Sequence, residues 1–320
     1  MRSLTRPLTR NAGPTNTTRL ILLVGAGFSK WSCNLPLVSE LFDFSLHPDN
    51  STEERRLVRL QKAYASWKKS NPGDHNEAFV RQSQGSHDRF NLTNWYITRR
   101  LSEPFVVQSS RRYTWYMNSY HSQDHAGIQT ARRLIEELQR TSVTPLSIIT
   151  TNYDLIPEYS LGTRRFNYGQ IGEQIGFSPY PYPQPVYATG DISIAKLHGS
   201  ISWDERRKYP DCRCGLTGKC LIVPPITEKK APAILRDQWS LAGDLLSKCN
   251  TLVVFGFSFN EYDQAIRQFF KRKLSPKADI IYVDLVDPTH RLAPIFGTRV
   301  TKFVSANQAD LSQKLSFVLR

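Results

Sequence analysis

Leu20-Ile21-Leu22-Leu23-Val24-Gly25-Ala26-Gly27-Phe28-Ser29 decides how this chain folds. Its apolar run is strand-sized and leads directly into two glycines and a helix-like pattern. Glycine lets the backbone turn sharply and lie against a phosphate, with the amides of the next helix's first turn pointing at it. Three further segments repeat the plan: Ser147-Ile148-Ile149-Thr150-Thr151-Asn152-Tyr153-Asp154, then Ile192 to Leu197 followed by His198-Gly199-Ser200 and Trp203, then Leu252-Val253-Val254-Phe255-Gly256-Phe257-Ser258-Phe259-Asn260-Glu261-Tyr262-Asp263. Each strand delivers small polar groups at its carboxyl end, the edge of an open α/β sheet where ligands bind. Strand and helix alternate through the core. The expected fold class is therefore α/β, a doubly wound (Rossmann-like) parallel sheet with a helical insertion.

At 320 residues the chain is long enough for a full-sized core. Residues 1–18 carry Arg2, Arg6 and Arg10 and no acid, and read as a disordered basic tail; 19–320 read as one ligand-binding domain. Leu37, Val38, Leu41, Phe42 and Phe44 have helical spacing. Residues 46–125 are polar, dotted with aromatics, and free of strand alternation, so they read as short helices and loops inserted between the first two strands. Ile128, Ala131, Ile135 and Leu138 share one face of a helix over 126–140. Residues 160–190 read as a long Gly- and Pro-rich loop, a candidate lid or pocket wall. A helix over 231–249 presents Leu235, Trp239, Ala242, Leu246 and Cys249 as a stripe, and Asn260 is placed to cap the helix after the fourth segment.

The net charge of +14, from 42 basic against 28 acidic residues, favours an anionic ligand, a nucleic acid or an acidic partner. The basic residues are scattered doublets such as Arg55-Arg56 and Lys229-Lys230, which read mostly as solvated faces. Five cysteines, an odd number, argue against a disulfide framework and for a reducing, cytoplasmic compartment. No apolar run approaches the roughly 20 residues that span a bilayer, so no membrane partner is expected. Cys212, Cys214 and Cys220 are spaced C-x-C-x5-C, which falls short of a four-ligand zinc site, and no metal is expected.

Gly-Ala-Gly-x-Ser at 25–29, Thr-x-Asn-x-Asp at 150–154, His-Gly-Ser at 198–200, Gly-x-Ser at 256–258 and Asp284 at the end of a late strand, taken in this order, resemble the sirtuin-like family over residues 19–310. Gly199-Ser200-Ile201-Ser202-Trp203, Val223-Pro224-Pro225, Trp239 and Phe259-Asn260-Glu261-Tyr262-Asp263 look like its divergent microbial branch, whose members are similar to NAD-consuming effectors of antiviral defence. The resemblance implies NAD as substrate, with Asn152 and His198 catalytic. It puts Gly25, Ala26, Gly27 and Ser29 at the pyrophosphate, and Phe28, Asp154, Gly256, Ser258, Asp263 and Asp284 among the remaining NAD contacts. For Asp263 the helix macrodipole is an equally good explanation of an acid in a first turn. Asn34-Leu35-Pro36-Leu37-Val38 stands where deacylases carry an Asp-Phe-Arg run, and Thr151 replaces their Gln.

The expected activity is therefore an NAD hydrolase releasing nicotinamide and ADP-ribose, acting as a triggered defence effector. The alternatives are a non-catalytic NAD or ADP-ribose sensor that regulates a partner, and an NAD-dependent protein deacylase. Self-assembly through the helical insertion, a partner protein or a nucleic acid are the candidate triggers. Asn152 and His198 are expected at strand tips and outside the core, so that either can be replaced without harm to the fold.

Overall fold

The computed structural model describes residues 19–102, 126–141, 146–162, 165–170, 174–178, 184–204, 220–223, 233–260, 263–287, 289–307 and 310–319. The chain begins with β1 (Leu20–Val24) and α1 (Ala26–Cys33), continues through α2 (Ser51–Ser70), α3 (Asn76–Ser83), α4 (His87–Ser102) and α5 (Ala126–Thr141), and returns to the sheet as β2 (Ser147–Thr150). Then come α6 (Ile156–Leu161), β3 (Phe166–Asn167), a hairpin of β4 (Gln174–Ser178) with β5 (Gln184–Tyr187), and β6 (Ile192–Lys196). A second hairpin joins β7 (Gly199–Asp204) to β8 (Cys220–Ile222). The last third alternates α7 (Arg236–Ser247), β9 (Thr251–Phe255), α8 (Gln264–Lys273), β10 (Asp279–Asp284), α9 (Thr289–Phe296), β11 (Val300–Ser305) and α10 (Leu311–Leu319).

Seven strands form one sheet in the order β11-β10-β9-β1-β2-β6-β3, every neighbouring pair parallel. The fold is the expected α/β, Rossmann-like one. β1 is buried along its whole length, as a central parallel strand covered on both faces must be. From β1 the chain winds outward through β2 and β6, then restarts at β9 on the other side of β1 and winds through β10 to β11. The reversal lies between β1 and β9. In such sheets the crevice at the carboxyl ends of the two reversing strands is the ligand site.

Register brings the strand tips level. Val24 lies beside both Thr150 and Phe255, Thr150 beside Lys196, and Phe255 beside Val283. The residues that follow, Gly25, Thr151, Leu197, Gly256 and Asp284, therefore share one edge. α5 buries Ile128, Ala131, Leu134, Ile135 and Leu138 and packs on α1, α6 and α10. α7 buries Trp239, Ala242 and Leu246 and packs on β6 and α8.

Three local expectations change. Residues 37–44 hold no α-helix, because Asn34 ends α1 in the left-handed region (φ 54°), Pro36 follows, and Phe44 itself has φ 55°. Only one 3-10 turn, Val38–Glu40, forms there. The 160–190 stretch contains β3, β4 and β5, so it is partly sheet. Asn260 does not cap α8: Asp263 holds the N-cap position, and the Asn260 side chain accepts from the Asp263 amide one step earlier (3.1 Å).

Of the 46–125 stretch, the described residues form α2, α3 and α4 with short non-helical connections between them. α4 packs against the β7–β8 hairpin, where Asn94 Nδ2 donates to the Cys220 carbonyl (3.0 Å). Phe42, Tyr64, Phe79 and Tyr96 meet in one aromatic cluster that ties these helices to the segment after α1. The basic tail at 1–18 and the remainder of the insertion, 103–125, lie outside the described residues. Among the described residues no helix is long and apolar enough to cross a membrane.

Candidate active site

A cleft of about 920 Å³ opens at the switch point. Its floor is the meeting of two strand-to-helix turns. Gly25 N–H donates to the Phe255 carbonyl (3.0 Å) and Gly27 N–H to the Gly256 carbonyl (2.9 Å). A Cβ on Gly25 would lie 2.6 Å from the Gly256 oxygen, and one on Gly256, whose φ is +62°, would lie 2.5 Å from the Gly27 backbone. These glycines permit the turns to touch.

The same bonds revise the role of the loop. Gly25, Gly27 and Phe28 all spend their amides on protein carbonyls, Phe28 on that of Gly25 (3.0 Å). Gly25 does not line the cleft, and the Phe28 side chain is buried against Trp31 and Phe255. Ala26, Gly27 and Ser29 do line it, and Ala26 makes no such bond among the described residues. What the sequence suggested as a cradle of amides is chiefly a shaped floor.

Beside it stands a directed chain of hydrogen bonds. Asn152 Nδ2 donates to the Gly25 carbonyl and to Ser29 Oγ (both 2.8 Å), Ser29 Oγ donates to Asp154 Oδ2 (2.6 Å), and Asp154 Oδ1 accepts from the Ile156 amide (3.0 Å). A carbonyl can only accept, so the Asn152 amide is fixed in orientation. Its Nδ2 is used up and Oδ1 remains for a ligand. Burial raises the Asp154 carboxyl above its usual range, and the Lys196 ammonium opposes the rise.

Lys196, which ends β6, is a residue the sequence reading passed over. It is fully buried, donating to Glu158 Oε1 (2.8 Å) and to the Asp154 carbonyl (2.6 Å). Tyr168 donates to the same Glu158 oxygen (3.0 Å). This buried pair anchors the start of α6 under the site. A lysine ending an apolar strand is a weak sequence signal, since most lysines at strand ends are solvated.

His198 follows β6 and is buried, contrary to the expectation of an open strand tip; so is Asn152. Gly199 then turns with φ +83°, so that a Cβ there would lie 2.0 Å from the Leu221 carbonyl oxygen. Burial pushes the imidazole down to about 4, opposed by its hydrogen bond to the Thr151 backbone. Across from it, His198 Nε2 faces Asp263 Oδ1 at 3.6 Å. Asp263 is pushed up to about 7, by burial first and by the charge of Glu77 second. Glu77 belongs to α3, so the helical insertion supplies part of the wall.

The two shifts have opposite effects on stability. As pH rises from about 4, the unfolded chain loses the Asp263 proton first, so this group's contribution falls until pH reaches about 7. As pH drops below 6.5, the unfolded chain protonates His198 first, so stability is lost down to about 4. At about 1.4 kcal/mol per pH unit the slopes nearly cancel between pH 4 and 6.5. Relative to wild type, Asp263→Asn should gain stability with rising pH by about 3 kcal/mol over that window, and His198→Gln should lose about 3 kcal/mol over the same window. Urea unfolding at four pH values reads both; parallel curves for the two variants would refute the assignment.

Ser258 is exposed on the rim, and Asp284 stands at the tip of β10 with Oδ1 accepting from the Leu285 amide (2.7 Å). Both line the cleft, as does Gly256. Two cations were missed: Arg267 of α8 and Lys30 of α1, the latter paired with Glu40 (2.9 Å). Leu35, Pro36, Leu37 and Leu41 add an apolar wall.

Cys212 and Cys214 lie outside the described residues. Cys220 is buried with its thiol donating to the Ile201 carbonyl (2.9 Å). Among the described residues no three His, Cys, Asp or Glu side chains gather as a metal site.

No family model matches the chain. No curated protein matches it either. Among solved structures it is similar to a Sir2 homologue in complex with NAD (13% identity, 95% of this chain and 92% of that chain, TM-score 0.43). It is also similar to one described under the mechanism and regulation of Sir2 enzymes (14%, 95% and 91%, TM-score 0.41), and to one concerning sirtuin substrate affinity (13%, 95% and 92%, TM-score 0.40). At TM-scores below 0.5 these likenesses add no weight; the strand order and the side-chain geometry stand on this chain's own residues.

Proposed function

We propose that this protein hydrolyses NAD to nicotinamide and ADP-ribose, with water as nucleophile. One observation carries the reading: a single cleft is lined both by Asn152, whose amide nitrogen is spent on Gly25 and Ser29 and whose oxygen is left over, and by His198, whose imidazole burial keeps neutral. The motif order that resembles the sirtuin-like family supports NAD as the molecule they meet.

The chemistry asks for little else. Nicotinamide leaves a cationic linkage as a neutral molecule, so no general acid is needed. The site must hold the ribose, tolerate an oxocarbenium-like centre and orient the attacking oxygen. Asn152 Oδ1 can accept from a ribose hydroxyl or from that water. A neutral imidazole can take a proton. Among the described residues Arg267, and Lys30 beside its partner Glu40, line the cleft as cations suited to a pyrophosphate, Ser258 and Asp284 suit ribose hydroxyls, and the wall from Leu35 to Leu41 suits an aromatic ring. The reading includes a cytoplasmic setting and a role as a triggered antiviral effector. An NAD hydrolase left on would deplete its own cell, so a trigger is part of the proposal: self-assembly through α2 to α4, a partner protein or nucleic acid.

The test is mass spectrometry of NAD incubated with purified protein, with and without an acyl-lysine peptide, over a range of protein concentrations and with nucleic acid added. Nicotinamide and ADP-ribose should appear without peptide, and peptide should neither speed the reaction nor yield O-acyl-ADP-ribose. Strict peptide dependence would establish a deacylase instead. Tight binding without turnover in any condition would establish a sensor.

A further inference from the structure

His198 is deeply buried and hence a weak base by itself, which leaves the destination of the abstracted proton open. The group nearest its Nε2 is Asp263 Oδ1, 3.6 Å away, with both side chains about 5% exposed. That oxygen is shielded from solvent and accepts no hydrogen bond among the described residues. A buried, unpaired carboxyl oxygen is costly, and such exceptions call for an explanation. The helix does not provide one: Asp263 sits at the N-cap of α8 without a capping bond from its side chain.

We propose that Asp263 is a positioning residue acting through His198, receiving the proton that the imidazole takes from the attacking water, and that Glu77 tunes it from the helical insertion. The proposal rests on the hydrolase reading. In balance, the water oxygen bonds to the ribose C1′, and the C1′–nitrogen bond breaks with its electron pair passing to nicotinamide. The released proton moves to Nε2, then to Oδ1, and finally to solvent. Water and NAD are the sole reactants, and nothing is oxidised or reduced.

The groups that face this pair come from several elements. Glu77 is linked to Asn260 and lies near the charges of His75 and Arg81. Tyr153, from the turn after β2, packs beside the His198 ring and donates its hydroxyl to the Val223 carbonyl (3.1 Å). Arg267 of α8 lines the same cleft. His198 stays neutral across the physiological range, so a rate change near neutrality belongs to the carboxyl pair.

Two measurements test this on the full chain. First, kcat and kcat/KM for NAD are followed from pH 5 to 9. Wild type should lose activity as pH falls through about 7. Asp263→Asn should lose that limb and drop kcat at pH 8 by about 10-fold or more, with KM nearly unchanged, and Asp263→Glu should regain part of it. Glu77→Gln should move the limb to lower pH. Second, the His198 ring resonances, assigned against His198→Gln, should show in wild type an inflection near neutrality that Asp263→Asn lacks. The second readout needs no turnover, so it separates this proposal from the hydrolase reading. If wild type lacks the inflection, or Asp263→Asn keeps it or keeps the acid limb, the proposal is overturned.

Discussion

His198→Ala should reduce nicotinamide release by a factor of about 100 or more while the protein melts close to wild type. The ring is part of the cleft lining and is neutral near pH 7, so truncating it widens an existing cleft and gives up only its hydrogen bond to the Thr151 backbone. Asn152→Ala should match the activity loss but not the stability. Its Nδ2 holds the Gly25 carbonyl and the Ser29 hydroxyl, so truncation should also cost about 1–3 kcal/mol. Nicotinamide release measured alongside urea unfolding distinguishes the pair. Full turnover in His198→Ala would remove it from the chemistry, and an Asn152→Ala protein as stable as wild type would mean that its bonds to the glycine turn are replaceable.

Lys196→Met should destabilise the fold by about 3–5 kcal/mol, since it strands the fully buried Glu158 carboxylate without its counter-charge. That exceeds what most single changes do and is a large share of a typical domain's stability. Adding Glu158→Gln should restore most of the loss. A neutral amide needs no counter-charge and still offers an oxygen to the Tyr168 hydroxyl. The rescued double variant should nevertheless turn over NAD slowly: without the Lys196 charge, the already raised Asp154 carboxyl rises further and accepts less well from Ser29. Calorimetric melting of the single and double variants checks the first half, and nicotinamide release the second. An equally unstable double variant would show that packing around Lys196, and not its charge, is what matters.

The parts of the fold legible in sequence were those whose signal is local. β1, β2 and β9 are apolar runs ending in glycine or small polar residues, β6 is one that leads through Lys196 to His198-Gly199-Ser200, and α5 and α7 show one buried stripe each. The spacing of Leu37, Leu41 and Phe44 misled, because periodicity says nothing of the left-handed backbone at Asn34 and Phe44. The hydrogen-bond chain through Ser29, Asn152 and Asp154 was legible as a set of residues but not in its direction, which depends on which atoms the glycine turn leaves over. Lys196, Glu158 and Glu77 were invisible as site residues. Each has the composition of a surface position, and what buries it is a partner or wall remote in sequence, 38 residues away for the Lys196 and Glu158 pair. Asp263 was seen but could be explained by its helix, and only the distance to His198 gives it a second meaning.

The contact of Gly25 and Gly27 with Gly256 leaves the cleft a floor of main chain against main chain. Such a floor has no group that mutation can exchange, for any side chain there would force the two turns apart. Variation in what the cleft accepts must then arise elsewhere, in the α3 wall, the Leu35 to Leu41 segment and the tips of β9 and β10. Descendants of this sequence could drift in ligand preference at those margins while the ground beneath stayed fixed, and a library aimed at altered specificity is best confined to them.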